Sequence, residues 1–402
     1  MASQNLQDLA GRWLRGIDAS LPAAIELRHE LHAAPDLSGK EDPTSRRVLN
    51  ALGDHDFEVE TVAGTGRLLR LGPAGESIGL RAELDALPLT EMTGSSFAST
   101  ASNPPAMHAC GHDVHLAGLF AVLQAAREVD LPLGLVGLLQ PREEVGPTGA
   151  ADVVAGNHLI DHQVRALIAA HVQPQVPAGH VSSDGGPVNA AVDEIEIVVS
   201  GRGGHGAYPH LAVDPVPALC RIILALQETA RSTVNPLHAA VVSITQMQGA
   251  AAPNVIPGTA MAAGTIRVMD ETDRALLHER LARTVTSIAE AHGCTGKYEI
   301  RRGEPALVND QVLAGLTRTW LSDFGVPTSP FASCGSDDFA TYGSQLPILM
   351  QFVGTGYPTE HSAAGPMLHD PSFLPGDHVV REVAVAMLSG WLGAASITPP
   401  ST

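Results

Sequence analysis

Gly111-His112-Asp113-Val114-His115-Leu116-Ala117-Gly118-Leu119 opens a stretch whose apolar residues Val114, Ala117, Leu119, Val122 and Leu123 recur at helical spacing as far as Ala126. Shortly after it, Gly134-Leu135-Val136-Gly137-Leu138-Leu139 is an unbroken apolar run of strand length, the pattern of a strand buried on both faces. Upstream, residues 57–62, 68–71 and 77–82 read as further strands. Before them Leu6, Leu9, Trp13, Leu14, Ile25, Leu27 and Leu31 predict a long opening helix that ends before Pro35. Strand and helix alternate, so the chain is expected to form an α/β layer fold.

Downstream, Asp184-Gly185-Gly186-Pro187 is loop-like, and beyond it the rhythm changes. Residues 193–200, 215–230, 239–246, 261–268, 271–292 and 297–301 read as strand, helix, strand, strand, helix, strand, an order suited to an antiparallel sheet backed by two helices. A helix at 311–324, an apolar strand at 347–353 and a helix at 378–392 then return the chain to its first domain. The expected division is 1–185 and 303–402 for a discontinuous α/β domain, with 186–302 inserted in it.

A length of 402 residues suits two domains. With 24 basic against 43 acidic side chains, the net charge of −19 repels a phosphate backbone and argues against nucleic acid as a partner. No apolar run approaches the ~20 residues that span a bilayer, and residues 1–8 lack a secretory pattern, so no membrane partner and a cytoplasmic location are expected. Cys110, Cys220, Cys294 and Cys334 have no paired spacing, which disfavours a disulfide framework.

Four places carry groups suited to a transition metal in a hydrolase, which needs imidazole, thiolate and carboxylate ligands held at the ends of rigid elements. Cys110 and His112 stand just before a helix, whose dipole favours a thiolate, with Asp113 and His115 close by. Glu143 and Glu144 follow the buried strand, where open α/β sheets build their sites. One acid can ligate while the other acts as a base toward water. His171 ends another apolar strand, and His369 lies in the C-terminal segment. Each feature alone equally suits a buried thiol, a hydrogen-bonded core histidine or a solvated acidic face.

Their conjunction, in order, resembles the M20 family of metallopeptidases and amidohydrolases, in its branch of hippurate, N-acyl-amino-acid and auxin-conjugate hydrolases. The motifs run from Leu31-His32-Ala33-Ala34-Pro35 through Arg81-Ala82-Glu83-Leu84-Asp85-Ala86-Leu87-Pro88 and Met107-His108-Ala109-Cys110-Gly111-His112-Asp113 to Gln140-Pro141-Arg142-Glu143-Glu144. They continue with Gly203-Gly204-His205-Gly206, Asn254-Val255-Ile256-Pro257, Gly264-Thr265-Ile266-Arg267, Gly335-Ser336-Asp337-Asp338-Phe339 and Leu368-His369.

The resemblance implies a mixed-sheet catalytic domain interrupted by a ferredoxin-like lid that also forms a homodimer interface. It implies two divalent metal ions, of Zn, Mn, Co or Ni, with Cys110 bridging and His112, Glu144, His171 and His369 as further ligands. Glu143 would be the catalytic base, Asp85 would support the site, and His205 would reach the partner subunit's site to bind the oxyanion. Asn254 and Arg267 would receive the substrate's carboxylate. The implied reaction is metal-activated hydrolysis of an N-acyl amino acid to a carboxylic acid and a free amino acid. A dipeptidase or carboxypeptidase taking short peptides is the alternative, ahead of a non-catalytic metal or small-molecule binder and of a redox role for Cys110. Departures from the family pattern are Asp337 before Asp338, Pro147 in the turn after the Glu pair, and Glu83 at a position often held by Asp.

Overall fold

The computed structural model describes residues 2–53, 56–356 and 365–397. In chain order its elements begin with α1 (Ala2–Ala33), α2 (Asp42–Leu52), β1 (Glu58–Val62), β2 (Gly66–Leu71), β3 (Ser77–Glu83), α3 (His112–Ala126), β4 (Gly134–Gln140), α4 (Gly149–Ala155), α5 (His158–Asp161) and β5 (Val164–Gln173). There follow β6 (Val181–Ser182), β7 (Gly186–Asn189), β8 (Ala191–Ser200), β9 (Gly204–His205), α6 (Pro215–Thr233), β10 (Ala240–Gln248), β11 (Val255–Ile256), β12 (Thr259–Val268), α7 (Glu271–Ala291) and β13 (Thr295–Arg302). The last are β14 (Leu307–Asn309), α8 (Gln311–Asp323), β15 (Ile348–Gly354) and α9 (His378–Ala395).

Two compact units result: Met1–Gly186 with Val308–Phe331 and Thr341–Thr402, and Pro187–Leu307 with Ala332–Ala340. The first holds a seven-stranded mixed sheet in the order β1-β2-β4-β3-β5-β15-β6, with β4, β3, β5 and β15 mutually parallel. Every residue of β3, β4 and β15 is buried, as the unbroken apolar runs require of strands covered on both faces. Helices α1, α3 and α9 share one core, where Trp13 meets Trp391 edge-on at 4.9 Å and donates its indole N–H to the Val122 carbonyl at 3.0 Å. No helix among the described residues is long and apolar enough to cross a membrane.

The second unit carries an antiparallel sheet in the order β10-β12-β8-β13, fourth strand beside first and third beside second, with α6 and α7 supplying its core. That is the ferredoxin-like arrangement of a βαββαβ chain. Beneath it Asp193, on β8, is 1% exposed and accepts from Arg274 and His278 of α7, while His278 also meets the Tyr298 hydroxyl at 2.8 Å. Burial penalises this carboxylate, but Arg274 and His278 overcome the penalty and hold its pKa well below the usual range. A depressed folded pKa means that the stabilisation is complete above the unfolded carboxylate value, ~3.9, and is lost only as the pH falls below it. Arg274→Ala is expected to lower stability by about 3–5 kcal/mol, because it strands a buried charge. Urea unfolding of the variant against wild type measures this.

Candidate metal centre

The parallel strands of the first unit set out the site at their carboxyl ends, where such sheets place ligands. Asp85 follows β3, Glu143 and Glu144 follow β4, and His171 lies in the last turn of the pleat of β5. Cys110 and His112 flank Gly111, which takes a left-handed conformation at the start of α3 (φ 85°). A Cβ on Gly111 would stand 2.5 Å from a Val172 methyl, so only glycine lets the two donors approach β5. His369 arrives from an irregular segment, itself at φ 67°, and its N–H donates to the Ala109 carbonyl at 2.9 Å.

Hydrogen bonds fix which ring nitrogens face the site. His112 Nδ1 donates to the Asp85 carbonyl at 2.8 Å, leaving Nε2 as a buried lone pair without a hydrogen-bond partner. His171 Nδ1 donates to the Val172 carbonyl at 2.7 Å, so its Nε2 lone pair points at Cys110 Sγ, 3.5 Å away. His369 Nε2 lies 3.4 Å from Glu144 Oε1, and Glu143 Oε2 stands 3.9 Å from His112 Nε2. The donor atoms of Cys110, Glu144 and His369 lie within 4.8 Å of one another, as do those of His112, Glu143 and Glu144.

Electrostatically the pocket asks for a cation. Burial works against protonating His112, yet the carboxylates of Glu83, Asp85 and Glu144 raise its pKa above the ordinary value. Burial of Glu144 is likewise outweighed, here by His369 and His112, and its pKa falls. His171 is pushed well below its usual range by burial and then by His115 and His112, which keeps it the neutral donor a metal requires.

Glu83, His112, His115 and His171 also form a tight buried group. His115 is nevertheless spent: its Nδ1 meets Glu83 Oε2 at 2.8 Å and its Nε2 accepts the Val172 N–H at 2.9 Å. Glu83 is bound in turn by the fully buried Arg81, which also donates to Gln140. These two residues back the ligands rather than join them, and sequence reasoning assigned Glu83 no role and Arg81 none at all. Their alternation on one face of β3 was the available signal. Asp85 accepts from Ser38 Oγ at 2.7 Å and from the Glu144 N–H at 3.0 Å, so it braces both His112 and Glu144.

His205, Asn254 and Arg267 lie in the second unit. The β9–β11 ribbon pairs His205 with Val255, directly beside the exposed Asn254. The Ala207 N–H donates to His205 Nδ1 at 3.1 Å, which leaves the proton of the neutral ring on the exposed Nε2. Arg267 sits on β12 and donates to the Cys334 carbonyl at 2.9 Å.

Thiolate, imidazole and carboxylate donors, two of the imidazoles presenting Nε2 lone pairs, fit divalent transition metals. Fold and site together define a metal-dependent hydrolase. The sequence profile of peptidase family M20/M25/M40 matches residues 79–386, and the chain belongs to that family. Among its relatives are N-acetyl-L-cysteine deacetylase of Bacillus subtilis, 34% identical over 82% of this chain and 80% of the relative, and thermostable carboxypeptidase 2 of Saccharolobus solfataricus, 32% identical over 82% and 85%. A Bacillus subtilis structure described as a dinuclear metal binding peptidase from the M20 family superposes with a TM-score of 0.80 at 29% identity, covering 94% of this chain and 99% of that one. The chain is thus a metal-dependent amidohydrolase, and its α/β fold with a separate smaller domain agrees with the family's structures.

Proposed function

We propose that the enzyme cleaves N-acyl amino acids to a carboxylic acid and a free amino acid, with Cys110, His112, Glu144, His171 and His369 as metal ligands. The observation that carries this is Glu143, whose carboxylate faces His112 Nε2 from beside the ligand Glu144. Divalent ions held by these residues would supply Lewis acidity toward water and an amide carbonyl. Glu143 takes the proton from the water and returns it to the departing amine. His205, with Nε2–H exposed, donates to the developing oxyanion. Arg267 and Asn254 receive the carboxylate that both an N-acyl amino acid and a peptide C-terminus present.

The Bacillus deacetylase supports the first substrate class, and the Saccharolobus carboxypeptidase supports a short-peptide reading in second place. Metal-reconstituted enzyme assayed on N-acetyl, N-benzoyl and indole-acetyl amino acids beside dipeptides is expected to turn over the acylated set faster. A kcat/KM ranking led by dipeptides reverses the order. Arg267→Ala is expected to raise KM by roughly 10-fold or more for substrates with a free carboxylate, in keeping with the ~1.5–3 kcal/mol of a charged hydrogen bond. Amidated substrates, lacking that charge, should show almost no change.

We further infer a homodimer formed through the second unit. Its sheet has two edges: β13 carries Lys297, Glu299, Arg301 and Arg302, whereas β10 has no charged residue and exposes Val241 and Met247. Charges guard an edge against pairing, so the unguarded β10 suits a second copy. His205 then acts across the dimer. Mixing inactive Glu143→Gln and His205→Ala proteins under subunit exchange should restore activity, since each hybrid dimer regains one intact site. Failure to regain activity in confirmed hybrids counts against the exchange of His205. None of the four cysteines forms a disulfide, which suits a cytoplasmic location.

A further inference from the structure

Both ring nitrogens of His32 face carboxylates. Nδ1 lies 3.1 Å from Asp113 Oδ2 and Nε2 lies 3.2 Å from Glu91 Oε1, and these three side chains are 1–3% exposed. A ring flanked in this way satisfies both neighbours only by donating from both nitrogens, as an imidazolium. Burial opposes the charge, but Asp113 and then Glu91 outweigh it and raise the pKa. One turn earlier on α1, Arg28 is fully buried; it donates to Asp113 Oδ2 at 3.2 Å, to Asp377 Oδ1 at 2.6 Å and to the Pro375 carbonyl. His29 pairs with Asp377 from the same helix and stacks on Phe97 at 3.8 Å. The adjoining His108 is kept neutral by burial, its pKa pushed down to about 3.

Two cations on one helix thus hold carboxylates that belong to segments bearing proposed ligands, or, for Glu91, to a loop bonded to one. Asp113 directly follows His112. Glu91 fixes its own loop by accepting the Ser99 N–H at 2.6 Å, and the next residue, Met92, donates its N–H to the Pro371 carbonyl at 2.8 Å, two residues past His369. Asp377 and Pro375 anchor the same segment farther on. Of the five proposed ligands, His369 has the least support from regular structure: it is exposed, lies outside any helix or strand, and has a left-handed backbone that only a tethered non-glycine residue retains.

We infer that Arg28 and His32 are positioning residues that fix the His369 segment against the His112 helix and so set the geometry of the Cys110–Glu144–His369 subsite. This rests on the ligand assignment above. The device acts through charge balance, with two buried cations against Asp113, Glu91 and the half-exposed Asp377, and it touches neither substrate nor the ligating atoms.

Co2+ titration of apo protein, read by thiolate-to-cobalt absorption and by bound metal after dialysis, tests it. His32→Gln should weaken one of the two ions by ~10–100-fold, the range that outer partners of ligands command, and leave the other unchanged. Glu91→Gln should do the same from the opposite sign. The double variant, which removes one cation and one anion together, should bind more tightly than His32→Gln. A role in packing alone predicts that the two losses multiply, and that result overturns the inference, as does wild-type affinity in both single variants. If His32→Gln yields no folded protein, Glu91→Gln carries the test, and unchanged affinity for both ions there overturns it. Wild-type protein that shows no cobalt–thiolate absorption would overturn the ligand assignment as well, and is distinguished by failing before any variant is made.

Discussion

Glu143→Gln is expected to retain both metal ions and to lose roughly 10²–10⁴-fold in kcat, the usual contribution of a positioned general base. The substitution is isosteric and keeps an oxygen toward His112 Nε2, 3.9 Å from the native carboxylate. It removes only the capacity to take a proton. The proposed ligand Glu144 is unaltered, so metal analysis separates a chemical loss from a structural one. KM should change little, because the carboxylate-binding residues lie elsewhere. A variant with full metal content and near-native kcat would move the base to another residue.

Cys110→Ala is expected to be more severe. The thiol sits 3.5 Å from His171 Nε2 and within 4.8 Å of the donors of Glu144 and His369, in keeping with the bridging role proposed for it. Its removal should cost both ions on dialysis, well beyond the ~10–100-fold that outer partners cost, with activity falling to background. The apo fold should persist, since exchanging a buried thiol for a methyl leaves only a small cavity in a large core. Retention of two ions by the variant would show that Cys110 is not the bridge.

Much of this architecture was legible because period and length agreed. The apolar runs of β4 and β15 gave buried strands, and residues 193–200 read as a strand of the second domain, where burial alternates along β8 over Ala191–Ser200. The helix α2 went unread: Asp42-Pro43-Thr44-Ser45 looks like a turn, and few apolar residues follow it before Leu52. Proline at the first helical positions is instead a natural start, because no intrahelical partner is needed there. Candidate site residues were easiest to pick out where they stood close together in sequence, as with Cys110 and His112, or Glu143 and Glu144. Those that matter through long-range pairing were not. Glu83 could not be interpreted until His115 and Arg81 were seen against it, and His32 was only part of a motif until Glu91 and Asp113 closed on its two nitrogens. Hydrogen-bond direction, which selects the tautomers of His112 and His171, exists only in three dimensions.

The order of segments along the chain has a consequence for synthesis. Residues 187–307 intervene between the proposed ligands Glu144 and His171 and the return to the first unit, and His369 with Asp377 comes later still. At ~5–20 residues per second, the emerging chain spends many seconds with Arg28 and His112 translated but Asp377 and His369 not yet made. The inserted unit, whose elements are contiguous apart from residues 332–340, has its own core and can assemble in that interval. A nascent chain halted before residue 365 would therefore hold Cys110, His112 and His171 without the last of the proposed ligands, His369.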